Sequence, residues 1–226
     1  MKDFVITKNA MQLLSRLVMS CCHPLMNIQS NRQHQNAVIF EARKNEDINS
    51  DKFLKSIASN FVLYEKLWKM AEKMFKKKVD QEVIINYFGS KMHIDKVMDE
   101  IGDKDILAQE EFMKFIFLHM LIPATVERIR SGRANIVYKR RDVEVRVSDV
   151  VILKDDINMI EVGSCVLTHF ALVVSLNCDK LLRQHLLSEE VRCKEFMETT
   201  KFFSGQTINP GVLTKNTEKL AKCFNL

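Results

Sequence analysis

The apolar side chains follow the helical period over most of the chain. They recur every three or four residues in several segments, which predicts a helix in each. These segments are 9–29, 52–78, 80–88, 93–101, 105–122 and 178–203. Pro24 is expected to kink or end the first helix, because proline removes a backbone donor and clashes with the preceding turn. The segment 93–101 is followed by Gly102, and glycine is a typical C-terminal cap.

The segment 105–122 differs from the other predicted helices because its apolar residues point in nearly every direction. A helix that is apolar all round is normally surrounded by other helices. The segment 52–78 instead has one apolar stripe, and Asp51 is a suitable N-cap for it. We therefore expect 105–122 to be the central helix of a helical bundle.

The period changes from three or four to two between residues 134 and 153. Val143, Val145 and Val147 alternate with charged residues, which is typical of a half-buried strand. The apolar residues just before it predict a second strand. The two neighbouring strands together predict a β-hairpin. A further, shorter strand is predicted from Ala37.

The apolar segment 164–177 fits either a buried helix or a buried strand, since periodicity cannot separate the two in so apolar a run. A helix with Ser164 as its N-cap is the favoured interpretation. Glycine and proline are scarce, with six and three residues, which suits long regular elements with few tight turns. The sequence thus predicts a mainly α fold.

We expect a helical domain over residues 1–205, in one lobe or two, with a single small β-hairpin near 134–153. Gly205 is predicted to end the last helix of this domain. A C-terminal arm or short helix is predicted over 206–226. The arm is amphipathic and follows a Pro-Gly turn, so docking on a second copy of the chain is expected.

The charge and cysteine content favour an intracellular protein. The net charge is +5, which is too small to establish a nucleic-acid partner by itself. The six cysteines include the adjacent pair Cys21 and Cys22, which suits a disulfide framework poorly, so we expect reduced thiols. No signal peptide or membrane-spanning stretch is recognisable. The expected location is the cytoplasm or the nucleus.

No motif in the sequence indicates catalysis or a cofactor. Phosphate-binding glycine loops and nucleophile-elbow patterns are absent. A zinc site from Cys21, Cys22 and the nearby histidines lacks the paired ligand spacing of structural zinc sites. His119 and His169 lie in apolar segments, where a histidine is more often structural than catalytic. We expect neither an enzyme, nor a bound metal, nor a cofactor.

The segment 128–147 holds six of the eleven arginines. In the predicted hairpin, one group of basic residues falls at the base and the other at the tip. The base group is Arg128, Arg130 and Arg133, and the tip group is Lys139, Arg140 and Arg141. Arginine suits bidentate contacts with phosphate, so this hairpin is a candidate nucleic-acid surface, with a solvated hairpin as the alternative.

A second basic feature follows the predicted helix 52–78. Lysines recur at spacings of three and four, and aromatic residues lie between them. The lysines are Lys66, Lys69, Lys73 and Lys76, and the aromatic residues are Tyr64, Trp68 and Phe75. Aromatic rings beside cations can stack single-stranded bases. The alternative is a solvated helix face in which the lysines pair with glutamates four residues away.

Two functions are compatible with these features. The first is non-catalytic binding of RNA or single-stranded nucleic acid through the basic residues, together with self-assembly through the arm. The second is a protein–protein adaptor that uses methionine- and phenylalanine-rich apolar surfaces, since the chain has twelve methionines.

Overall fold

The computed structural model describes residues 5–17, 63–95, 110–170, 172–176, 178–190 and 193–210. The chain divides into two compact units, Met1–Phe88 and Gly89–Leu226. The first unit is helical in its described part, whereas the second contains all the named strands. Each unit is described by itself below.

Three helices form the described part of the first unit. They are α1 (Lys8–Leu17), α2 (Leu63–Lys73) and α3 (Gln81–Phe88). Asp80 caps α3, since its Oδ1 accepts a hydrogen bond from the backbone N–H of Val83 at 3.1 Å. Helices α1 and α2 both pack against α3. A short parallel bridge between Ile6 and Val79 ties the start of α1 to the segment before α3.

The second unit combines six strands with three named helices and a 3-10 helix. In chain order these are α4 (Glu110–His119), β1 (Ile122–Arg130), β2 (Arg133–Arg140), β3 (Val143–Val151), the 3-10 helix Lys154–Met159, β4 (Cys165–His169), β5 (Leu172–Ser175), α5 (Lys180–Glu190), α6 (Lys194–Phe202) and β6 (Thr207–Ile208). A helical segment at 91–95 precedes them.

The first five strands close into a barrel. Strand β1 pairs with β2 and β4, and β2 also pairs with β3, all antiparallel. Strand β5 completes the circuit, because it is antiparallel to β4 and parallel to β3 at Val151. The short β6 adds to β3 in parallel, at Arg146 and Val147. Closure leaves these five strands with few unpaired edges.

A cluster of aromatic rings packs two helices onto the barrel. Phe117 of α4 stacks on Phe196 of α6, with ring centroids 5.7 Å apart. Both rings meet Tyr138 of β2 edge to face, at 5.7 and 6.0 Å. All three side chains are fully buried. Such pairs stabilise a core beyond the area they bury.

The expectation of a mainly α fold with one small hairpin is wrong, because the second unit is built on a closed β-barrel. The predicted hairpin near 134–153 exists as β2 and β3, but it is only part of that barrel. The predicted central helix 105–122 ends, in its described part, at His119, and β1 begins at Ile122. Pro123 suits the start of a strand better than a helix interior.

The segment 164–177 is also not a helix, since it contains β4 and β5. Both strands are buried on their two faces, which makes a strand as continuously apolar as a buried helix. The turn between them contains Phe170 with a φ of 44°. Because this turn lacks glycine, proline and asparagine, the sequence gives no sign of it.

Several helix predictions are met within the described residues. The segment 80–88 matches α3. The segment 178–203, predicted as one helix, instead contains two, α5 and α6, because Cys193 between them is extended, and Gly205 is in the left-handed conformation just after α6. The described part of 52–78 forms α2, which ends at Lys73. The predicted strand from Ala37 and most of the arm, from 211 onward, lie outside the described residues.

Candidate functional site

The first group of arginines flanks the turn between β1 and β2. Ser131 and Gly132 form this two-residue turn, and both have positive φ, 48° and 74°. That conformation is typical of the tight turns that match the twist of a hairpin. Arg130 and Arg133 are direct partners across the turn. Arg128 precedes them on β1, and all three side chains are exposed.

Like charges directly opposite one another on paired strands destabilise a hairpin. Within the described part of the chain, Arg128, Arg130 and Arg133 form no ion pair. Arg133 donates a hydrogen bond to the carbonyl oxygen of Asp149 at 3.0 Å, which holds its guanidinium beside the turn without neutralising it. The turn between β1 and β2 therefore concentrates three positive charges, and we call it the arginine turn.

The second group of basic residues lies at the other end of β2. This strand is eight residues long, so its two end residues lie about 23 Å apart in extended chain. Lys139 pairs with Glu144 at 2.7 Å. Arg140 is half-buried and donates to the Sδ of Met197 in α6. Arg141 is exposed, in the left-handed conformation, with a φ of 51°. The two groups predicted from the sequence are therefore separate.

A balanced charge network occupies the surface between the two groups. Arg146 of β3 pairs with Glu127 of β1 at 3.3 Å and also with Glu144. Hydrogen bonds from Lys139 and Arg146 lower the pKa of the Glu144 carboxyl. Since each acid here has a basic partner, this middle surface offers little attraction to phosphate.

The lysine-rich helix α2 ends in an unusual turn in the first unit. The N–H of Lys76 donates to the carbonyl of Ala71 at 2.8 Å, and the N–H of Phe75 to that of Glu72 at 3.0 Å. This is the Schellman pattern, in which glycine normally takes the left-handed position. Here Phe75 takes it, with a φ of 56° and a side chain that is 96% exposed.

The lysines near this turn differ in their partners. Lys76 pairs with Asp80 at 2.7 Å and with Glu82, so its charge is neutralised. Lys73 is exposed, as are Lys77 and Lys78, which follow Lys76. Lys69 is also exposed, whereas Lys66 and the neighbouring Trp68 are half-buried. The exposed ring of Phe75 thus has three exposed lysines close to it in sequence, Lys73, Lys77 and Lys78. We call these four residues the Phe75 turn.

Three buried histidines meet in the second unit. His93 comes from the helical segment 91–95, His119 from the end of α4 and His169 from the end of β4. The rings of His93 and His119 stack at 4.6 Å, and that of His169 lies 5.1 Å from His119 and 5.9 Å from His93. One nitrogen from each ring can be chosen so that all three lie within 4.8 Å of one another. We call this the histidine cluster.

Burial keeps these imidazoles neutral. It lowers the pKa of His119 to about 3, and it lowers the pKa values of His93 and His169 well below the ordinary value. For His93 and His169 the neighbouring rings lower the pKa further, because a second positive charge in the cluster is unfavourable. The ring of His169 also hydrogen-bonds to the backbone of His119, which orients it within the cluster.

Two half-buried thiols form a further pair on the barrel. Cys165 of β4 and Cys178 share a hydrogen bond, and Arg183 of α5 lies beside them. The hydrogen bond from Cys178, followed by the Arg183 charge, lowers the pKa of Cys165 to about 7. Sharing that bond and being buried raise the pKa of Cys178. Neither of these cysteines forms a disulfide in the structure, and nor does Cys193.

No protein-family model matches this chain, and neither a curated protein nor a solved structure shows significant similarity to it. Among the described residues, no helix is both long and apolar enough to cross a bilayer. The function must therefore be inferred from the geometry alone.

The sequence interpretation missed two features that the structure brings together. The Ser131-Gly132 dipeptide between two arginines is a turn signal, and recognising it would have placed Arg128 and Arg130 on a strand of their own. The histidine cluster had no such signal. His93, His119 and His169 belong to three elements that are far apart in sequence, so only the barrel topology shows that they meet.

Proposed function

We propose that this protein binds single-stranded nucleic acid, RNA in particular, without catalysis. The observation that carries the proposal is the arginine turn. There Arg130 and Arg133 face one another across a two-residue turn, Arg128 lies beside them, and no described acid neutralises the three. A phosphate backbone would relieve their repulsion and accept their charge-assisted hydrogen bonds.

The barrel supports the same function. Its pairing scheme, with β1 between β2 and β4 and with β3 parallel to β5, is that of the five-stranded Greek-key barrel of the OB type. Barrels of this type commonly bind oligonucleotides with the face of the second and third strands and with the loop between the first two strands. The arginine turn occupies that loop. The support is an analogy between folds, and the arginines supply the chemistry.

The Phe75 turn provides a second support, independent of the barrel. Left-handed backbone costs an ordinary residue about 1–2 kcal/mol, and a fully exposed phenylalanine gains nothing from burial. Such a residue suggests a function outside the fold itself. A ring beside Lys73, Lys77 and Lys78 can stack on a base while the lysines contact the backbone phosphates.

The arginine turn is tested by replacing Arg128, Arg130 and Arg133 together with glutamine. We expect weaker binding of a fluorescein-labelled oligouridine, measured by fluorescence anisotropy at several salt concentrations. Each lost phosphate contact should flatten the slope of log affinity against log salt by about 0.7 for a single strand, so the full loss is about 2. Thermal stability should hardly change, because the three side chains are exposed.

The matched control removes the same charge from the helices of the same unit. Lys180, Lys194 and Lys201 are exposed, and replacing them with glutamine changes the net charge by the same amount. If the salt slope falls equally in both triple variants, only net charge matters and the arginine turn is not a binding site. If neither variant changes it, the proposal loses its main support.

The Phe75 turn is tested by Phe75→Gly. Because glycine adopts positive φ freely, we expect stability to be maintained or raised, whereas loss of base stacking should weaken oligouridine binding by about 1–3 kcal/mol. Phe75→Trp keeps a stacking ring and should retain the affinity. Unchanged binding by Phe75→Gly in the anisotropy assay would exclude the ring from the interface.

The adaptor function remains the second candidate, favoured by exposed apolar side chains on the second unit. Leu181, Met159 and Val162 are each more than half exposed. An adaptor predicts that wild-type protein binds oligouridine feebly at physiological salt, and that the glutamine variant at the arginine turn behaves like the wild type. The same titration therefore distinguishes the two functions.

A further inference from the structure

We propose that His93, His119 and His169 bind a divalent transition-metal ion of the Zn²⁺ class, as a structural site in the second unit. The proposal is independent of nucleic-acid binding. It departs from the sequence expectation of a protein without metal, which considered only ligands close together in the chain.

The donor atoms of the three rings lie close together. A nitrogen from each of the three rings lies within 4.8 Å of the other two. Tetrahedral zinc, with Zn–N bonds of 2.0–2.1 Å, places two ligand nitrogens about 3.4 Å apart. The rings of His93 and His119 stack with their planes 10° apart, so at least one of them must turn before both nitrogens can point at a shared ion. Zinc imposes no geometric preference of its own, which makes this adjustment easier.

The surroundings of the three rings favour their neutral form. Metal binding requires neutral imidazole, and protons compete with the metal wherever histidine is charged. All three rings are at most 3% exposed, and burial favours the neutral imidazole that a metal ion needs. The hydrogen bond from the ring of His169 to the backbone of His119 is the kind of outer contact that orients a ligating histidine.

The chemistry of the donors selects the class of ion. Three imidazoles suit zinc, copper, nickel or iron, whereas calcium and magnesium require oxygen ligands. Three histidines leave one position of a tetrahedral zinc for a small ligand such as water. All three side chains are at most 3% exposed, which leaves no path for a substrate between the described residues. We therefore assign a structural role to this site.

The position of the cluster explains what such an ion would do. His93 precedes α4, His119 ends that helix, and His169 ends β4, where the N–H of Phe170 also donates to the carbonyl of Leu118 at 2.7 Å. One ion would join three segments that are distant in sequence. Because the ion would bind the folded chain, where the three rings meet, and not the unfolded chain, metal binding would stabilise the barrel against unfolding.

The test is a metal titration of the full chain, first made metal-free with a chelator under reducing conditions. We expect one Co²⁺ to bind with the visible bands of a tetrahedral site and without the near-ultraviolet band of thiolate ligation. Zn²⁺ should displace it. At free Zn²⁺ a hundredfold above Kd, the melting temperature should rise by about 5–10 °C.

The decisive variants are His93→Phe and His119→Phe, which keep a buried ring and remove a donor. Each should lower Co²⁺ affinity at least about tenfold. Two double variants, Cys165→Ser with Cys178→Ser and Cys21→Ser with Cys22→Ser, control for thiol sites and should bind Co²⁺ as the wild type does. His185→Asn controls for an exposed histidine.

Three outcomes would overturn the proposal. The wild type could fail to bind Co²⁺ or Zn²⁺ stoichiometrically, which is measurable even if a phenylalanine variant does not fold. The cobalt spectrum could show thiolate ligation and vanish in a cysteine variant. Finally, His93→Phe could bind Co²⁺ with wild-type affinity. In each case the three rings would be a packed aromatic cluster in the core.

Discussion

Metal-free protein is expected to lose stability steeply as the pH falls below about 6.5. The unfolded chain has histidines with pKa values near 6.5, whereas the folded pKa of His119 is about 3 and those of His93 and His169 are well below the ordinary value. Between these limits the unfolded state binds more protons than the folded state. The free energy of unfolding therefore falls as the pH falls.

The size of this effect follows from the number of histidines. Once the pH is below the unfolded pKa, each buried neutral imidazole contributes about 1.4 kcal/mol per pH unit, so three contribute roughly 4 kcal/mol per unit. A domain with an ordinary free energy of unfolding, about 5–15 kcal/mol, would therefore unfold once the pH had fallen by a few units. The stability conferred by neutral histidines is fully present above pH 6.5 and is lost progressively below it.

Urea unfolding followed by circular dichroism at pH 7.5, 6.5 and 5.5 would measure this slope. His119→Phe should reduce it by about one third, since one titrating group is removed and the other two stay buried. A stability independent of pH over this range would mean that the cluster is hydrated or already protonated in the folded state.

The alternating valines of β3 show which part of the fold was predictable. One face of that strand is polar, so its period of two is visible in the sequence. The strands β4 and β5 have no polar face, and their apolar runs are equally typical of a buried helix. The fold class was predicted wrongly because a closed barrel hides several of its strands in this way.

The candidate sites also differ in how far they could be predicted from the sequence. The arginines and lysines are local in sequence, so the basic segments were found, with Arg133 and Arg140 at opposite ends of one strand, although the strand that carries Arg128 and Arg130 was not. The neutralisation of Lys76 by Asp80 and Glu82 also depends on the turn after α2. The histidine cluster depends on three distant elements. Sequence patterns report local structure, and contacts between distant elements require the topology.

The aromatic cluster predicts the largest effect of a single core substitution. Phe196 is fully buried between Phe117 and Tyr138, and Phe196→Ala would leave a cavity where the helix α6 meets the barrel. We expect a loss of about 3–5 kcal/mol in the free energy of unfolding, measured by urea titration. Phe196→Leu keeps most of the volume and should cost less than about 1.5 kcal/mol.

Phe202 provides the matched control on the same helix. It is 47% exposed and its ring meets that of Phe203 edge to face, so Phe202→Ala should cost only about 1 kcal/mol, well below the loss for Phe196→Ala. Equal losses for Phe202→Ala and Phe196→Ala would contradict the described orientation of α6.

The contact between α6 and the barrel is tested more directly by a double-mutant cycle. Tyr138→Leu removes the ring of β2 that meets Phe196 edge to face. If helix and strand are in contact, the two substitutions should be non-additive by about 0.5–3 kcal/mol, because each removes the same ring pair. In a helical bundle without the barrel, these residues would have no reason to meet. Additive losses would therefore argue against α6 packing on β2, whereas coupling supports the barrel architecture on which both proposed sites depend.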